Sequence, residues 1–172
     1  GRRRMQVADE GIRALNAFSG TEAENMTRNY AWRLLEMGRR IERAGHLVEL
    51  TRELVQGPCE TDGSLRLLLE LGDSFMTYRS RYIMTPLVAP VLDLLILDES
   101  NPRGVAFQLG ELDRHIAALP SEGPHRNPVQ RLILELLTAV RLAEVETLCA
   151  VEAGGRSSRL DELLATLAAE SV

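Results

Sequence analysis

Apolar residues recur at steps of three and four along almost the whole chain. This is the period at which one face of an amphipathic helix returns, and runs of β-branched residues long enough for strands are scarce. Glycine and proline fall at intervals of helical length and separate the periodic stretches. The pattern therefore predicts an all-α fold, a bundle of about six helices. We expect residues 1–172 to form a single helical domain.

Start and stop signals set the expected helix boundaries. Thr21 and Glu24 form a T-x-x-E capping box, which predicts the start of a long helix that ends near Gln56. Asn-Pro pairs at 101–102 and 127–128 predict two more starts, with asparagine as the cap and proline in the first turn. The expected helical stretches cover residues 5–18, 21–56, 64–84, 86–97, 102–119, 128–150 and 158–169.

The long helix predicted from Thr21 has two faces that carry apolar residues. One is a seam of apolar and small residues, which we expect to be buried. The opposite face also holds charged and titratable members: Arg39, Glu42, Arg43 and His46. If this second face is buried too, the charges need partners of opposite sign. The alternative is a solvated face on which neighbours such as Glu36 and Arg40 pair along the helix.

The next helical stretch contains an arginine within its apolar seam. Arg79 lies in line with apolar residues, so we expect it to be interior. Tyr78 and Tyr82 flank it, and their hydroxyl groups need partners where they are buried. Asp93 is embedded in an apolar run and is the carboxylate best placed to balance Arg79, with Glu42 as the alternative. The sequence therefore predicts an Arg79–carboxylate contact.

Metal and catalytic motifs are poorly represented. Glu42 and His46 lie four residues apart, as do Glu111 and His115, so each pair could reach one metal ion from a helix face. The spacings of di-iron bundles and of zinc proteases are missing, and so is a recognisable nucleophile motif. We therefore expect neither a metal nor a cofactor.

Charge and composition exclude several classes of protein. The 25 acidic residues outnumber the 20 basic ones, all arginine, so no overall positive field attracts nucleic acid or an anionic membrane. Without lysine, neither a Schiff base nor a Walker-type phosphate loop can form. No stretch is apolar enough to span a membrane, and the two cysteines fit a reduced, cytoplasmic protein. A set of five arginines could instead bind a phosphate or carboxylate: Arg39, Arg40, Arg43, Arg79 and Arg81.

Several blocks of the sequence resemble a known family. The segment Trp32 to Ala44 contains Glu42-Arg43 and resembles the signature of the alpha-E domain, a bacterial all-helical domain with a Glu-Arg motif. The stretches 77–82, 90–95 and 98–109 resemble later blocks of the same family in the same order, and Ser80 stands where members often have arginine. The family's earlier Glu-Arg helix has no counterpart here. We therefore expect the chain to be the C-terminal part of a longer alpha-E domain or fusion protein.

The resemblance implies a genomic and chemical context. Alpha-E domains are fused to, or encoded beside, circularly permuted ATP-grasp-type proteins and transglutaminase-like proteins, which suggests peptide or amide-bond formation. The family's motif positions, carried over residue by residue, are Arg39, Glu42, Arg43, Tyr78, Arg79, Tyr82, Asp93, Asn101 and Arg103. For Asn101, helix capping before the following proline is a sufficient structural explanation.

Two functions are compatible with these observations. In the first, the chain is a non-catalytic accessory or interaction domain that docks with an ATP-grasp-type ligase, a transglutaminase-like protein or a second copy of itself. In the second, it is an enzyme or half of one, with Glu42 as general acid or base tuned by Arg43 and Arg79. The lack of catalytic motifs favours the first.

Overall fold

The computed structural model describes residues 2–55, 62–120, 128–150 and 157–169. Within these ranges every regular element is a helix and no residue forms a strand, so the predicted all-α class is confirmed. It has more and shorter helices than expected: α1 (Arg2–Asn25), α2 (Tyr30–Val55), α3 (Asp62–Leu71), α4 (Phe75–Tyr82), α5 (Val88–Leu92), a π-helix (Asp93–Leu97), α6 (Val105–Ala117), α7 (Pro128–Arg141), α8 (Val145–Leu148) and α9 (Ser158–Ala169). None of these helices is long and apolar enough to cross a membrane.

The chain divides into two compact units, residues 1–35 and residues 36–172. The first contains α1 and the start of α2, and here the predicted capping box is wrong. Thr21 lies inside α1, where its hydroxyl donates to the carbonyl of Ala17 at 2.9 Å instead of capping a new helix. The cap of α2 is Asn29, whose side-chain oxygen accepts the amide N–H of Trp32 at 3.1 Å.

The core of the second unit forms around the most apolar stretch of the sequence. Val91, Leu92, Leu94, Leu95 and Ile96 of α5 and the π-helix are completely buried. Apolar faces of α2, α3, α6, α7, α8 and α9 and the ring of Tyr78 in α4 supply the other buried side chains of this core. The amide of Asp98 donates to the carbonyl of Asp93 at 2.8 Å, the i to i+5 bond of a π-helix.

The predicted seam of α2 is buried in only half of the helix. From Ala44 onward it packs into the core, with Val48 and Val55 buried. Towards the start of the helix, Leu34 is 57% exposed and Ile41 is 40% exposed. The seam therefore belongs to the core only where the neighbouring helices of the second unit cover it.

The stretch predicted as one helix over 64–84 is two helices, α3 and α4. A β-carbon on Gly72 would lie 3.3 Å from Leu47 and 3.4 Å from Leu95, so the backbone passes close to the core at this point. Asp73 follows with φ 48°, a left-handed conformation that ends the helical run. The break changes the rotational phase of every residue in α4.

Other boundaries agree more closely with the sequence. Helix α7 begins at Pro128 and α9 covers Ser158–Ala169, both as predicted. The predicted helix over 128–150 is interrupted after Arg141. Helix α6 begins at Val105 rather than at Pro102, so the predicted role of Asn101 as helix cap is wrong. Gln56 and Asn127, named in the other boundary predictions, lie outside the described residues.

Candidate functional site: an arginine cluster on α2 and beside α6

Three arginines of the second unit lie close enough to Arg43 for their charges to act on it. We call these four residues the arginine cluster: Arg39, Arg40, Arg43 and Arg103. The first three lie three or four residues apart on α2, so they share one side of that helix. The fourth comes from the segment that leads into α6. Burial lowers the pKa of Arg43, and the positive charges of Arg40, Arg103 and Arg39 lower it further. The site is therefore cationic.

Glu36 is the carboxylate that anchors this cluster. One of its oxygens accepts from Arg39 at 2.9 Å and the other from Arg40 at 3.0 Å. Burial acts to raise the pKa of Glu36, but the hydrogen bonds and charges of Arg39 and Arg40 outweigh it and the pKa lies below its ordinary value. The predicted pairing of Glu36 and Arg40 along the helix is confirmed.

Arg40 is the most firmly held member of the cluster. Its guanidinium donates to the side-chain oxygen of Gln108 at 3.2 Å and lies 5.7 Å from the ring centre of Phe107. Gln108 is completely buried and donates in turn to the carbonyl of Pro102 at 2.7 Å. The Nε atom of Arg40 is buried and has no hydrogen-bond partner among the described residues. Arg40 thus ties α2 to α6 and retains one unused donor.

Arg43 has no carboxylate within ion-pair distance among the described residues, although it belongs to the Glu-Arg pair. Arg103 pairs with Asp73 at 2.7 Å, but both side chains are well exposed, and such pairs are weak in water. Among the ion pairs of the described residues, Glu36 binds Arg39 and Arg40, Asp73 binds Arg103, and Arg43 has none. An anion that bound beside Arg43 would reduce the mutual repulsion of the cluster.

The expectation that Arg79 is interior is wrong, because this residue is exposed. Glu42 and Arg43 are exposed too, although Arg43 is partly desolvated, so of the two alternatives for this face of α2 the solvated one agrees with the structure. Arg79 lies 6.0 Å from the ring centre of Phe75 and forms no ion pair within the described chain. The predicted Arg79–carboxylate contact is therefore wrong as well. The break between α3 and α4 rotates Arg79 away from the apolar seam with which the sequence pattern aligns it.

Asp93 pairs with a tyrosine instead of an arginine. It accepts a hydrogen bond from the hydroxyl of Tyr82 at 3.0 Å, and the pKa of Tyr82 is raised by burial and by this hydrogen bond. Tyr78 is completely buried; its hydroxyl donates to the carbonyl of Thr85 at 3.3 Å and accepts from the amide of Leu87 at 3.2 Å. The prediction that these hydroxyls need partners is confirmed.

Glu42 forms no hydrogen bond or ion pair with the described residues, so nothing in this part of the chain orients its carboxylate for proton transfer. Its role as a general acid or base stays a prediction. In the described ranges, no three His, Cys, Asp or Glu side chains lie close enough together to hold a metal ion. Glu111, paired with His115 in the sequence argument, forms an ion pair with Arg114.

Sequence reasoning missed one member of this site and the main contact of another. Gln108 is an amide on the buried side of α6, and an amide in that position signals a specific partner, which is Arg40. The sequence pattern indicates Arg40 as a partner of Glu36 and as one of several arginines, but not as a partner of Gln108. Its contact with α6 joins positions 68 residues apart in the chain, which no helical periodicity can indicate.

The ion pairs of Glu36 make a prediction about acid stability. Because the folded-state pKa is lowered, the stabilisation is fully present above the unfolded pKa, near 4.5, and is lost as the pH falls through the folded value. We expect Glu36→Gln to lower the free energy of unfolding by about 1 kcal/mol at neutral pH. Below pH 4.5, the stability of this variant should depend less on pH than that of the parent chain. Urea midpoints measured over a pH series test this. Glu53→Gln, an exposed change on the same helix, is the control; equal pH profiles for both variants would contradict the assignment.

Comparison with known proteins agrees with the sequence blocks. A family model named Alpha-E, described as a predicted alpha-helical domain with a conserved ER motif, matches residues 1–171. The chain is 30% identical over 159 residues to uncharacterized proteins of Mycobacterium tuberculosis and Mycobacterium bovis. The match covers 91% of this chain but 18% of each relative, so the chain spans about a fifth of their length. No solved structure matches significantly.

Proposed function

Since this chain belongs to the Alpha-E family, we propose that it is a helical accessory domain of an ATP-grasp-type system for amide-bond formation, and that its arginine cluster holds an anionic group. The observation that carries the proposal is Arg43, an arginine without a carboxylate partner among the described residues that lies close to three other guanidinium groups. It is also the arginine of the Glu-Arg pair in this sequence.

The cluster has the properties of a site for a carboxylate or phosphate. Guanidinium groups donate two parallel hydrogen bonds to such anions and keep their charge near neutral pH. Glu36 and Gln108 hold Arg40 in place before any ligand arrives, so less entropy is lost on binding. An ATP-dependent amide ligase consumes a carboxylate and releases phosphate, and both ions suit this site.

In this proposal the partner is a separate protein or domain that carries out amide chemistry, either an ATP-grasp-type ligase or a transglutaminase-like protein. The relatives are about five times as long as this chain, which is compatible with a domain that works beside others. A cytoplasmic location is part of this proposal, because an ATP-dependent system needs access to ATP. In this proposal the helical domain presents an acidic substrate or holds a phosphoryl product, and its partner performs the chemistry.

The test is anion binding by Arg43→Gln. We expect inorganic phosphate to raise the melting temperature of the parent chain more than sodium chloride does at the same ionic strength. In Arg43→Gln the apparent Kd for phosphate should rise about tenfold or more, because one charge-assisted contact is lost. Calorimetric titration with phosphate and with glutamate distinguishes the two anion classes.

Arg52→Gln is the matched control, since Arg52 is an exposed arginine of the same helix outside the cluster. It should bind phosphate as the parent chain does. Equal loss in both variants would show a general charge effect, and failure of the parent chain to bind phosphate or glutamate would remove the site from the proposal.

A further inference from the structure

Arg103 differs from the other members of the arginine cluster because its partner is an exposed carboxylate, that of Asp73. The charged atoms of the pair lie 2.7 Å apart, and 48% of the Arg103 side chain and 70% of the Asp73 side chain are exposed. An ion pair in water contributes little free energy, since each charge is well solvated without the other. The two side chains can therefore separate easily when another anion attracts Arg103.

The backbone on both sides of this ion pair is fixed by one buried side chain, that of Asn101. Its amide donates to the hydroxyl of Ser74, the residue after Asp73, at 3.3 Å. Its side-chain oxygen accepts the backbone N–H of Arg103 at 3.1 Å. Asn101 and Ser74 are both almost completely buried. Asp73 thus stays within reach of Arg103 even when their side chains separate, so it is a tethered counter-ion with a high effective concentration.

The segment that contains Arg103 is also joined to α2. Gln108 donates to the carbonyl of Pro102 at 2.7 Å and accepts from Arg40 at 3.2 Å. One side chain therefore links the backbone next to Arg103 to the helix that contains Arg43. Because this backbone is held from two sides, only the side chain of Arg103 has to move for it to exchange its present partner for an anion beside Arg43.

We propose that Asp73 is an internal competitor for the anion site: it occupies Arg103 until a phosphate or a ligand carboxylate takes its place. The ligand is then held by Arg103 together with Arg43. This inference rests on the proposed function, because it requires an anion that binds beside Arg43. It adds a regulating carboxylate to the site, one that lowers the affinity for every free anion and so excludes those that bind weakly.

The test removes one negative charge at a time and measures the Kd for inorganic phosphate by calorimetric titration of the whole chain. Asp73→Asn removes the competitor, and asparagine tolerates the left-handed backbone that residue 73 adopts. We expect the Kd to fall about two- to fivefold, which corresponds to the strength of an exposed ion pair.

Glu70→Gln is the matched control. Glu70 lies on α3, three residues before Asp73, and forms an exposed ion pair with Arg66 at 2.9 Å. Its replacement removes the same charge without releasing Arg103. At an ionic strength of about 0.15 M, exposed charges are screened beyond roughly 8 Å, so the Kd of this variant should equal that of the parent chain.

A double-mutant cycle determines whether Asp73 acts through Arg103. Arg103→Gln should raise the Kd about tenfold, and adding Asp73→Asn to it should have no further effect. The inference is overturned if Asp73→Asn tightens binding no more than Glu70→Gln does, or if it tightens binding equally with and without Arg103.

The outcomes also separate this inference from the proposed function. If Arg43→Gln weakens phosphate binding while Asp73→Asn changes nothing, the anion site stands and the competitor is refuted. A parent chain that binds no phosphate would refute both. Urea midpoints verify that each variant is folded under the conditions of the titration.

Discussion

Replacing Tyr78 by alanine will destabilise the chain by about 3–5 kcal/mol, the usual cost of truncating a fully buried aromatic side chain. The ring of Tyr78 is completely buried and lies 4.9 Å, centre to centre, from the ring of Tyr82. Its hydroxyl bonds both Thr85 and Leu87, and so fixes the segment that joins α4 to α5. Urea unfolding followed by circular dichroism measures the loss.

Two conservative variants separate the packing of Tyr78 from its hydrogen bonds. Tyr78→Phe keeps the ring but leaves the amide of Leu87 and the carbonyl of Thr85 without the hydroxyl, which should cost about 1–2 kcal/mol. Tyr82→Phe removes a single hydrogen bond, to Asp93, from a half-buried ring and should cost less. If Tyr78→Ala is no more harmful than Tyr78→Phe, the ring does not contribute to the core as the structure implies.

Local pattern was sufficient to predict the class of fold and much of its core. The apolar run around Asp93 is buried as its composition indicates, although one part of it winds as a π-helix. The start of α7 follows from a proline signal that acts within one turn. These features are local, so the sequence near each of them contains the information needed.

The wrong predictions concern places where a short break separates two helices. If residues 64–84 are treated as one continuous helix, Arg79 lines up with the apolar seam and is predicted to be interior. The left-handed conformation of Asp73 interrupts this count, and Arg79 lies at the surface. Thr21 shows the converse error, since a capping pattern at this position lies inside a continuous helix. Tertiary packing decides whether a capping pattern starts a helix, and tertiary packing cannot be derived from the local pattern of one sequence.

The candidate site was predictable in part for the same reason. Arg39, Arg43 and their neighbours follow from spacing along α2, because residues three and four apart share a face. The contributions of Gln108 and Arg103 depend on how α6 packs against α2, and those contacts connect distant parts of the chain. Of the Glu-Arg pair, Arg43 lies close to other arginines, whereas Glu42 forms no hydrogen bond or ion pair with the described residues.

Asn101 connects the stability of the core to this site. It is 2% exposed, although helix capping would leave it near the surface. Its amide donates to the carbonyl of Leu94 at 2.9 Å, in the last turn of the π-helix, and to the hydroxyl of Ser74 at 3.3 Å. Its side-chain oxygen accepts the backbone N–H of Arg103 at 3.1 Å. One buried side chain thus joins the π-helix, the start of α4 and the arginine cluster.

We therefore expect Asn101→Ala to cost about 3 kcal/mol, because it leaves a buried carbonyl and a backbone amide without partners. Asn29→Ala, which removes one exposed helix-capping bond, should cost about 1 kcal/mol and serves as the control in urea unfolding. Because Asn101 also fixes the backbone of Arg103, the folded variant should bind phosphate more weakly than the parent chain, whereas Asn29→Ala should not. Equal stability losses in the two variants would show that the buried hydrogen bonds of Asn101 contribute no more than a surface cap.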